Sequence, residues 1–88
     1  MPIISQFYGI VIKMFFHDEA KHHKEHIHVE YAGFEASFDF EGNQLSGRLP
    51  AKQKSLVKAW ILIHQNELSA LCKLINEDGR YFKIDPLH

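Results

Sequence analysis

The 88-residue sequence contains one cysteine, Cys72, and no long uninterrupted apolar segment. A single cysteine excludes an internal disulfide and any metal site built from paired cysteines, and it favours a reducing compartment. The apolar segment near the amino terminus is interrupted by Ser5, Gln6 and Lys13, and it has neither a basic flank nor a small-residue cleavage site. We therefore expect a cytoplasmic protein without a membrane span.

An excess of either charge is also missing, because 10 basic residues balance 11 acidic ones and the formal net charge is −1. The surface as a whole therefore has no electrostatic reason to bind nucleic acid. A local basic group remains near the predicted start of a helix, and it consists of Arg48, Lys52, Lys54 and Lys58. This group could contact RNA phosphates or an acidic partner, and the alternative is the ordinary solvated side of a helix.

The sequence does supply enough apolar residues for one folded domain. Hydrophobic residues make up 45% of the chain and aromatic residues 12%, which is typical of globular proteins and unlike disordered ones. A chain of 88 residues cannot supply two independent cores. We expect a single domain over residues 1–88.

Alternation of apolar and polar residues predicts β-structure in the first half of the chain. Residues 7–16 are β-branched and aromatic and predict one strand, followed by a charged loop over residues 17–25. Residues 26–40 alternate on both sides of Ala32 and Gly33, which predicts a hairpin with a two-residue turn. The expected register pairs Tyr31 with Phe34, Glu30 with Glu35, Val29 with Ala36, His28 with Ser37, Ile27 with Phe38, and His26 with Asp39.

A second turn near residues 41–43 leads into a segment where we expect Leu45 and Leu49 to point inward and Arg48 outward. Beyond it, residues 51–78 carry apolar side chains with the 3.6-residue period of a helix, which Gly79 is expected to end.

The pattern leaves open whether this helical segment is one helix or two helices broken near Gln65 and Asn66. The tail predicts a further short strand through Phe82 and Ile84. Together the elements predict an α+β fold with two layers. In it, an antiparallel sheet of three to four strands has one face covered by one long or two short C-terminal helices.

Histidines near the predicted hairpin suggest a metal site. His26 and His28 lie two residues apart on a strand, so both side chains leave the same face and could chelate one ion. His22 or His23 from the preceding loop and Asp39 across the hairpin could complete the ligand set, and imidazole with carboxylate suits zinc, nickel or another divalent metal. The alternative interpretation is a solvated polar face that carries histidines without a metal.

The same face also permits a catalytic hypothesis. His26 and His28, beside Glu30 and Asp39, could act as general acid and base in a toxin-like ribonuclease, with Lys13 or Arg48 stabilising negative charge. The sequence contains no phosphate-binding loop, nucleophile elbow or closed catalytic motif, so partner binding is the preferred hypothesis.

Two further features suggest structural or binding roles and not catalytic ones. His64 and Glu67 lie three residues apart on the helical segment, and a hydrogen-bonded structural pair is the expected role. Leu62 falls outside the apolar stripe, and with one side of the first predicted strand, which carries Phe7, Val11 and Phe15, it predicts exposed apolar surface. In a chain this small, such surface predicts a homodimer or a small protein partner.

Several residues together resemble the short bacterial proteins grouped as domain of unknown function 4160. The resemblance rests on His22, His26, His28 and Tyr31, on a Leu-Pro pair before a helix containing Trp60, and on the closing FKIDPL. It extends from Pro2 to about Leu87, although Lys24 and Glu25 replace a proline pair usual in the family. Members look like products of mobile genes paired with another small gene, similar to toxin–antitoxin pairs, which implies a partner-binding role.

Overall fold

A computed structural model of the chain describes residues 3–14 and 25–87, except for the side chain of Asp78. Within these residues the elements are β1 (Ile3–Phe7), β2 (Ile10–Lys13), β3 (His26–Tyr31), β4 (Phe34–Asp39), β5 (Gln44–Gly47), α1 (Ala51–Ile63) and α2 (Gln65–Asp78). The strands form one antiparallel sheet in the order β1-β2-β3-β4-β5. The α+β class is confirmed, but the predicted number of strands, three to four, is wrong, because the described sheet has five.

The additional strand arises from a turn inside the segment that was predicted to be continuous. Tyr8 has φ 50° and Gly9 has φ 79°, which are the left-handed values of a tight hairpin turn, and Phe7 pairs with Ile10 across it. Tyrosine is not a usual turn residue, and the apolar alternation continues through the turn, so the sequence conceals it. Residues 15–16 of the predicted strand and residues 17–24 of the predicted loop lie outside the described residues.

The hairpin between β3 and β4 forms as predicted. Ala32 and Gly33 have φ values of 47° and 86°, which again define a tight two-residue turn. All six expected residue pairs are present, from Tyr31 with Phe34 at the turn to His26 with Asp39 at the far end. The alternation and the turn residue together therefore determine this register.

Strand β5 departs from the expectation in one position. The register shifts between Ser37 and Phe38, so that Ser37 pairs with Ser46 while Phe38 pairs with Gln44. This irregularity inserts Leu45 as an extra residue, and Leu45 is exposed, so its predicted inward orientation is wrong. Leu49 packs partly buried against the core and Arg48 is exposed, as expected.

A glycine is required where β5 meets β4. Gly47 has φ 82°, and a Cβ atom at this position would lie 2.2 Å from the backbone oxygen of Glu35. Only glycine combines this backbone angle with so close an approach of two strands.

The helical segment is two helices. Helix α1 follows Pro50, whose φ of −57° suits a helix start, and the helix ends at His64, where φ is −111° and ψ is 24°. Asn66, the candidate cap, lies inside α2, whose first residue Gln65 donates through its side-chain Nε2 to the backbone oxygen of Phe40 at 2.9 Å. Gly79, with φ 73°, ends α2 as predicted.

Both helices bury apolar side chains against one face of the sheet. The largest fully buried side chains include Trp60, Ile61, Leu68 and Leu71 from the helices, and Phe38, Ile27 and Ile12 from the strands. Fully burying such a side chain stabilises the fold by about 1.5–3 kcal/mol. Ile63 is exposed next to the helix break, and Leu62 is exposed as predicted. The predicted exposure of Phe7 is wrong, because its ring is buried against Trp60, and Phe15 lies outside the described residues.

The carboxyl-terminal tail attaches to both layers. Ile84 is buried and donates its backbone N–H to Ile4 at 2.8 Å, and the Trp60 indole N–H donates to the backbone oxygen of Asp85 at 2.8 Å. The predicted strand through Phe82 and Ile84 is wrong, because residues 80–87 have no strand structure and Phe82 is exposed. The Ile84 backbone hydrogen bond, the buried Ile84 side chain and the Trp60 indole attach the tail to the domain instead.

The second face of the sheet is not covered by α1 or α2, and we call it the helix-free face. The cross-strand pairs whose side chains share this face are mostly polar. They comprise Val11, Lys13, His26, His28, Glu30, Glu35, Ser37, Asp39 and Ser46. Neither helix of the described chain is long and apolar enough to cross a membrane.

We predict that Ala32→Asn stabilises the protein. Alanine at φ 47° is strained, whereas asparagine tolerates the left-handed region and is favoured in such turns. The expected gain is about 0.5–1 kcal/mol, which corresponds to a rise in Tm of about 2–8 °C.

The same substitution at Ala59, an exposed position inside α1, is the control for this prediction. Ala59→Asn is expected to cost about 0.5–0.7 kcal/mol because asparagine has a lower helix propensity. A lower Tm for Ala32→Asn would contradict the left-handed conformation of this turn.

Candidate functional site

A row of polar side chains crosses four strands of the helix-free face. The pairing places Lys13 opposite His28, His28 opposite Ser37, and Ser37 opposite Ser46. Side chains at directly paired positions are close neighbours on a sheet. The strand order therefore brings Lys13 next to the histidine pair, which the sequence pattern left undecided.

Lys13 and Glu30 form an ion pair on this face. The Lys13 Nζ lies 2.8 Å from Glu30 Oε2, and both side chains are partly exposed. A pair with this exposure contributes at most about 1 kcal/mol, because water screens it. Its main consequence is that the Glu30 carboxylate already has a cationic partner.

His26 and His28 lie side by side as predicted. Their ring centroids are 5.0 Å apart in an edge-to-face arrangement, with His26 only 7% exposed and His28 half-buried. Imidazoles this close could bind one divalent ion. The described residues contain no group of three or more metal-ligating side chains, and His22, the predicted third ligand, lies outside them.

Asp39 has a structural role that the sequence did not reveal. The side chain is 2% exposed, and both of its oxygens accept hydrogen bonds. Its Oδ1 accepts from the backbone N–H groups of Glu41 and Asn43, both at 2.9 Å, and its Oδ2 accepts from Asn43 Nδ2 at 3.2 Å. The carboxylate thus holds the turn between β4 and β5, whereas its proposed metal-binding and catalytic roles stay predictions.

Two serines on this face, Ser37 and Ser46, were not predicted as site residues. The hydroxyls of Ser37 and Ser46 share a hydrogen bond of 2.5 Å, and Ser37 is buried. They line a shallow cleft of about 190 Å³ together with His28, Val29, Glu30, Glu35, Ala36 and Gly47. The only sequence signal for Ser37 was its pairing with His28, and Ser46 had none because of the register shift.

Aromatic side chains occupy one end of the sheet. The turn at Tyr8 and Gly9 lies beside the turn at Ala32 and Gly33, because β2 pairs with β3. Tyr8 is 59% exposed and Phe34 is 39% exposed, and Tyr31 is half-buried. We call these three residues the tip surface. Next to it lies a hollow of about 280 Å³, lined by Gly9, Val11, Glu30, Tyr31, Ala32, Gly33, Phe34 and Glu35.

The remaining predicted site residues lie elsewhere. His64 Nδ1 is 2.5 Å from Glu67 Oε1, and the His64 ring contacts Trp60 with a centroid distance of 5.3 Å. This pair belongs to the helical layer, which supports the structural interpretation. Arg48 and Lys52 are exposed near the start of α1.

A comparison with protein families matches the chain to the family described as Domain of unknown function (DUF4160). The match covers residues 9–71 of the 88-residue chain. The chain belongs to the DUF4160 family. The resemblance inferred from the histidines is thereby confirmed, over a shorter range than Pro2 to Leu87, and the DUF4160 match spans every strand from β2 to β5. Comparisons with curated proteins and with solved structures gave no significant match.

We predict that Asp39→Ala destabilises the protein even when a chelator removes all metal. Loss of a buried carboxylate that accepts hydrogen bonds leaves the donors of Glu41 and Asn43 without their partner. The free energy of unfolding is expected to fall by about 1.5–3 kcal/mol in a urea titration. Glu77→Ala, an exposed change on α2, serves as the control and should stay within about 0.5 kcal/mol. An unchanged stability would refute the turn-holding role.

Proposed function

We propose that this DUF4160 protein is a small protein-binding module that docks a partner protein, or a second copy of itself, through the tip surface. The observation that supports it best is the exposure of Tyr8 and Phe34 at one end of the sheet, beside a hollow of about 280 Å³. Exposed aromatic side chains grouped next to a concave surface are typical of interaction sites.

The backbone under the tip surface favours binding because it is preorganised. Both turns are tight two-residue turns, and a Cβ atom on Gly9 would lie 3.4 Å from the Tyr31 ring, so the two turns pack closely. A surface already held in one conformation loses less entropy when a partner docks. Leu62, Ile63 and Tyr81 are also exposed, but Leu62 and Ile63 lie in the last turn of α1, Tyr81 follows α2, and none of the three lines either hollow described above.

We propose in addition that His26 and His28 bind a divalent metal such as zinc, with His22 as a candidate third ligand. The ring distance of 5.0 Å supports the proposal. An ion at this position would lie on the helix-free face, toward the end of the hairpin opposite the tip surface. Asp39 would act there as a further ligand or orient His26, with which it pairs across the hairpin.

A toxin-like ribonuclease is the second candidate function. The row that places Lys13 beside His28 supports it, because a cation next to an imidazole suits phosphodiester cleavage. It ranks second since the two candidate carboxylates already have partners, Glu30 in the ion pair and Asp39 in the turn. Purified protein that leaves cellular RNA intact would remove this candidate.

We predict that the double variant Tyr8→Asn/Phe34→Thr loses partner binding. Asparagine tolerates the positive φ of Tyr8, and threonine preserves the strand propensity at Phe34, so the fold should survive. Capture from cells of the native host, with sedimentation to detect self-association, should show affinity reduced by about tenfold or more.

The matched control is Leu62→Gln, which removes an exposed apolar side chain from α1 instead. The control should bind like the original protein. A strictly monomeric protein that captures nothing, or a loss that Leu62→Gln reproduces, would contradict docking at the tip surface.

We predict that tag-free protein binds one zinc or nickel ion at neutral pH, and that His26→Ala/His28→Ala weakens this binding by more than about tenfold. Isothermal titration calorimetry provides both stoichiometry and affinity. His64→Ala is the control, because its imidazole belongs to the helical layer and pairs with Glu67. Weak binding that the double variant does not change would contradict a metal site at the histidine pair.

A further inference from the structure

Positive charge is concentrated on α1 and the residues that lead into it. Residues 42–66 contain four of the 10 basic residues and none of the 11 acidic ones. Three of the four, Lys52, Lys54 and Lys58, lie on α1, and Arg48 precedes the helix. All four are exposed, and we call them the basic surface. A chain with a formal net charge of −1 therefore has one region that contains no negative charge of its own.

The cations of the basic surface have no carboxylate partner. Within the part of the chain that the structure describes, none of the four forms an ion pair or a side-chain hydrogen bond. Lys58 is nevertheless restricted, because its aliphatic stem packs on the turn between β4 and β5. A Cβ atom on Gly42 would lie 2.9 Å from Lys58 Cγ. Such packing of the stem keeps the ammonium group in water, where a ligand can reach it.

The lysines of α1 lie on both sides of its exposed part. Because an α-helix turns once in 3.6 residues, Lys54 and Lys58 lie on one side and Lys52 on the other. Over residues 51–59 the exposed residues between them are small, namely Ala51, Ser55 and Ala59. This side of α1 is therefore narrow, with cations along both of its flanks.

These properties suit phosphate groups better than a protein or a membrane. Protein interfaces are centred on aromatic or large apolar side chains, and residues 51–59 expose none. A helix that lies on a membrane needs a free apolar side, whereas that of α1 packs against the sheet, and only Leu62 and Ile63 in its last turn are exposed. Phosphate oxygens require cations and hydroxyl donors, which the lysines and Ser55 supply.

Among nucleic acids, the same observations favour double-stranded DNA. Proteins that bind single strands stack the bases on aromatic side chains, and residues 48–63 expose no aromatic side chain. The major groove of B-form DNA is about 12 Å wide and admits an α-helix, with a phosphate backbone along each edge. The major groove of double-stranded RNA is too narrow for this. A narrow helix surface with cations on both flanks therefore matches the DNA groove.

We infer that the basic surface binds the phosphate backbone of double-stranded DNA, with Lys54 and Lys58 toward one strand and Lys52 toward the other. Contacts to phosphate carry no information about the bases, so binding is independent of sequence. The inference goes beyond the proposed protein-binding function, because the basic surface belongs to the helical layer and the tip surface to one end of the sheet. A chain with both surfaces can hold a partner protein beside DNA.

Fluorescence anisotropy of a labelled DNA duplex, titrated with the tag-free full chain, tests this inference. With a duplex of about 20 base pairs at low salt, the dissociation constant should be about 10⁻⁵–10⁻⁴ M. The logarithm of the association constant should fall against the logarithm of the salt concentration with a slope of about −3 to −4, as four neutralised phosphates require.

The double variant Lys52→Gln/Lys54→Gln should bind DNA about tenfold more weakly, and its salt slope should be smaller by about 2, because each lost phosphate contact removes about 1. Glutamine has the helix propensity of lysine, so α1 should stay folded. The matched control is Lys73→Gln/Lys83→Gln, which removes the same charge from exposed positions on α2 and the tail. It should keep the affinity within about twofold and the slope unchanged.

An equal loss in the control variant would overturn the inference, because it would show an effect of net charge alone. Absence of binding at low salt would also overturn it. So would a duplex RNA, the single DNA strand, a polyglutamate peptide or phosphatidylglycerol vesicles bound as tightly as the DNA duplex. Tyr8→Asn/Phe34→Thr should bind DNA like the original protein, which keeps this test separate from that of the tip surface.

Discussion

The register between β3 and β4 is the constraint on which the rest of the structure depends. The turn at Ala32 and Gly33 sets it, and β2 and β5 then pair with the two sides of this hairpin. A shift by one residue would transfer every side chain to the opposite face, removing Ile27 from the core and placing His28 in it. Burial of an imidazole without partners is costly, so the sequence specifies this register strongly.

That register also separates the scaffold from most of the surfaces to which we assign function. The helices cover one face and attach through apolar contacts, through Gln65 to Phe40 and through Trp60 to Asp85. The polar row and the histidine pair lie on the other face, and the tip surface lies where two turns meet. Substitutions on the helix-free face can therefore alter binding while the packed layer remains, with Asp39 as an exception because it holds a turn.

Local patterns account for the parts of the fold that could be predicted. Strict alternation, with glycine at the second turn position, was sufficient to predict all six residue pairs of the β3–β4 hairpin. Gly79 was sufficient to predict where α2 ends. Strand β1 escaped prediction because Tyr8 occupies a turn position without being a usual turn residue. Leu45 was misplaced because a register irregularity adds one residue to β5, and no local pattern reports such an irregularity.

The sequence by itself determined the α+β class, the hairpin register and the shared face of His26 and His28, because residue period and turn chemistry act over a few neighbouring residues. Only the tertiary structure decided which distant residues become neighbours. Strand order places Lys13 beside His28, and the meeting of two turns places Gly9 against Tyr31. These contacts depend on pairing between segments far apart in the chain, for which local residue preferences carry no information.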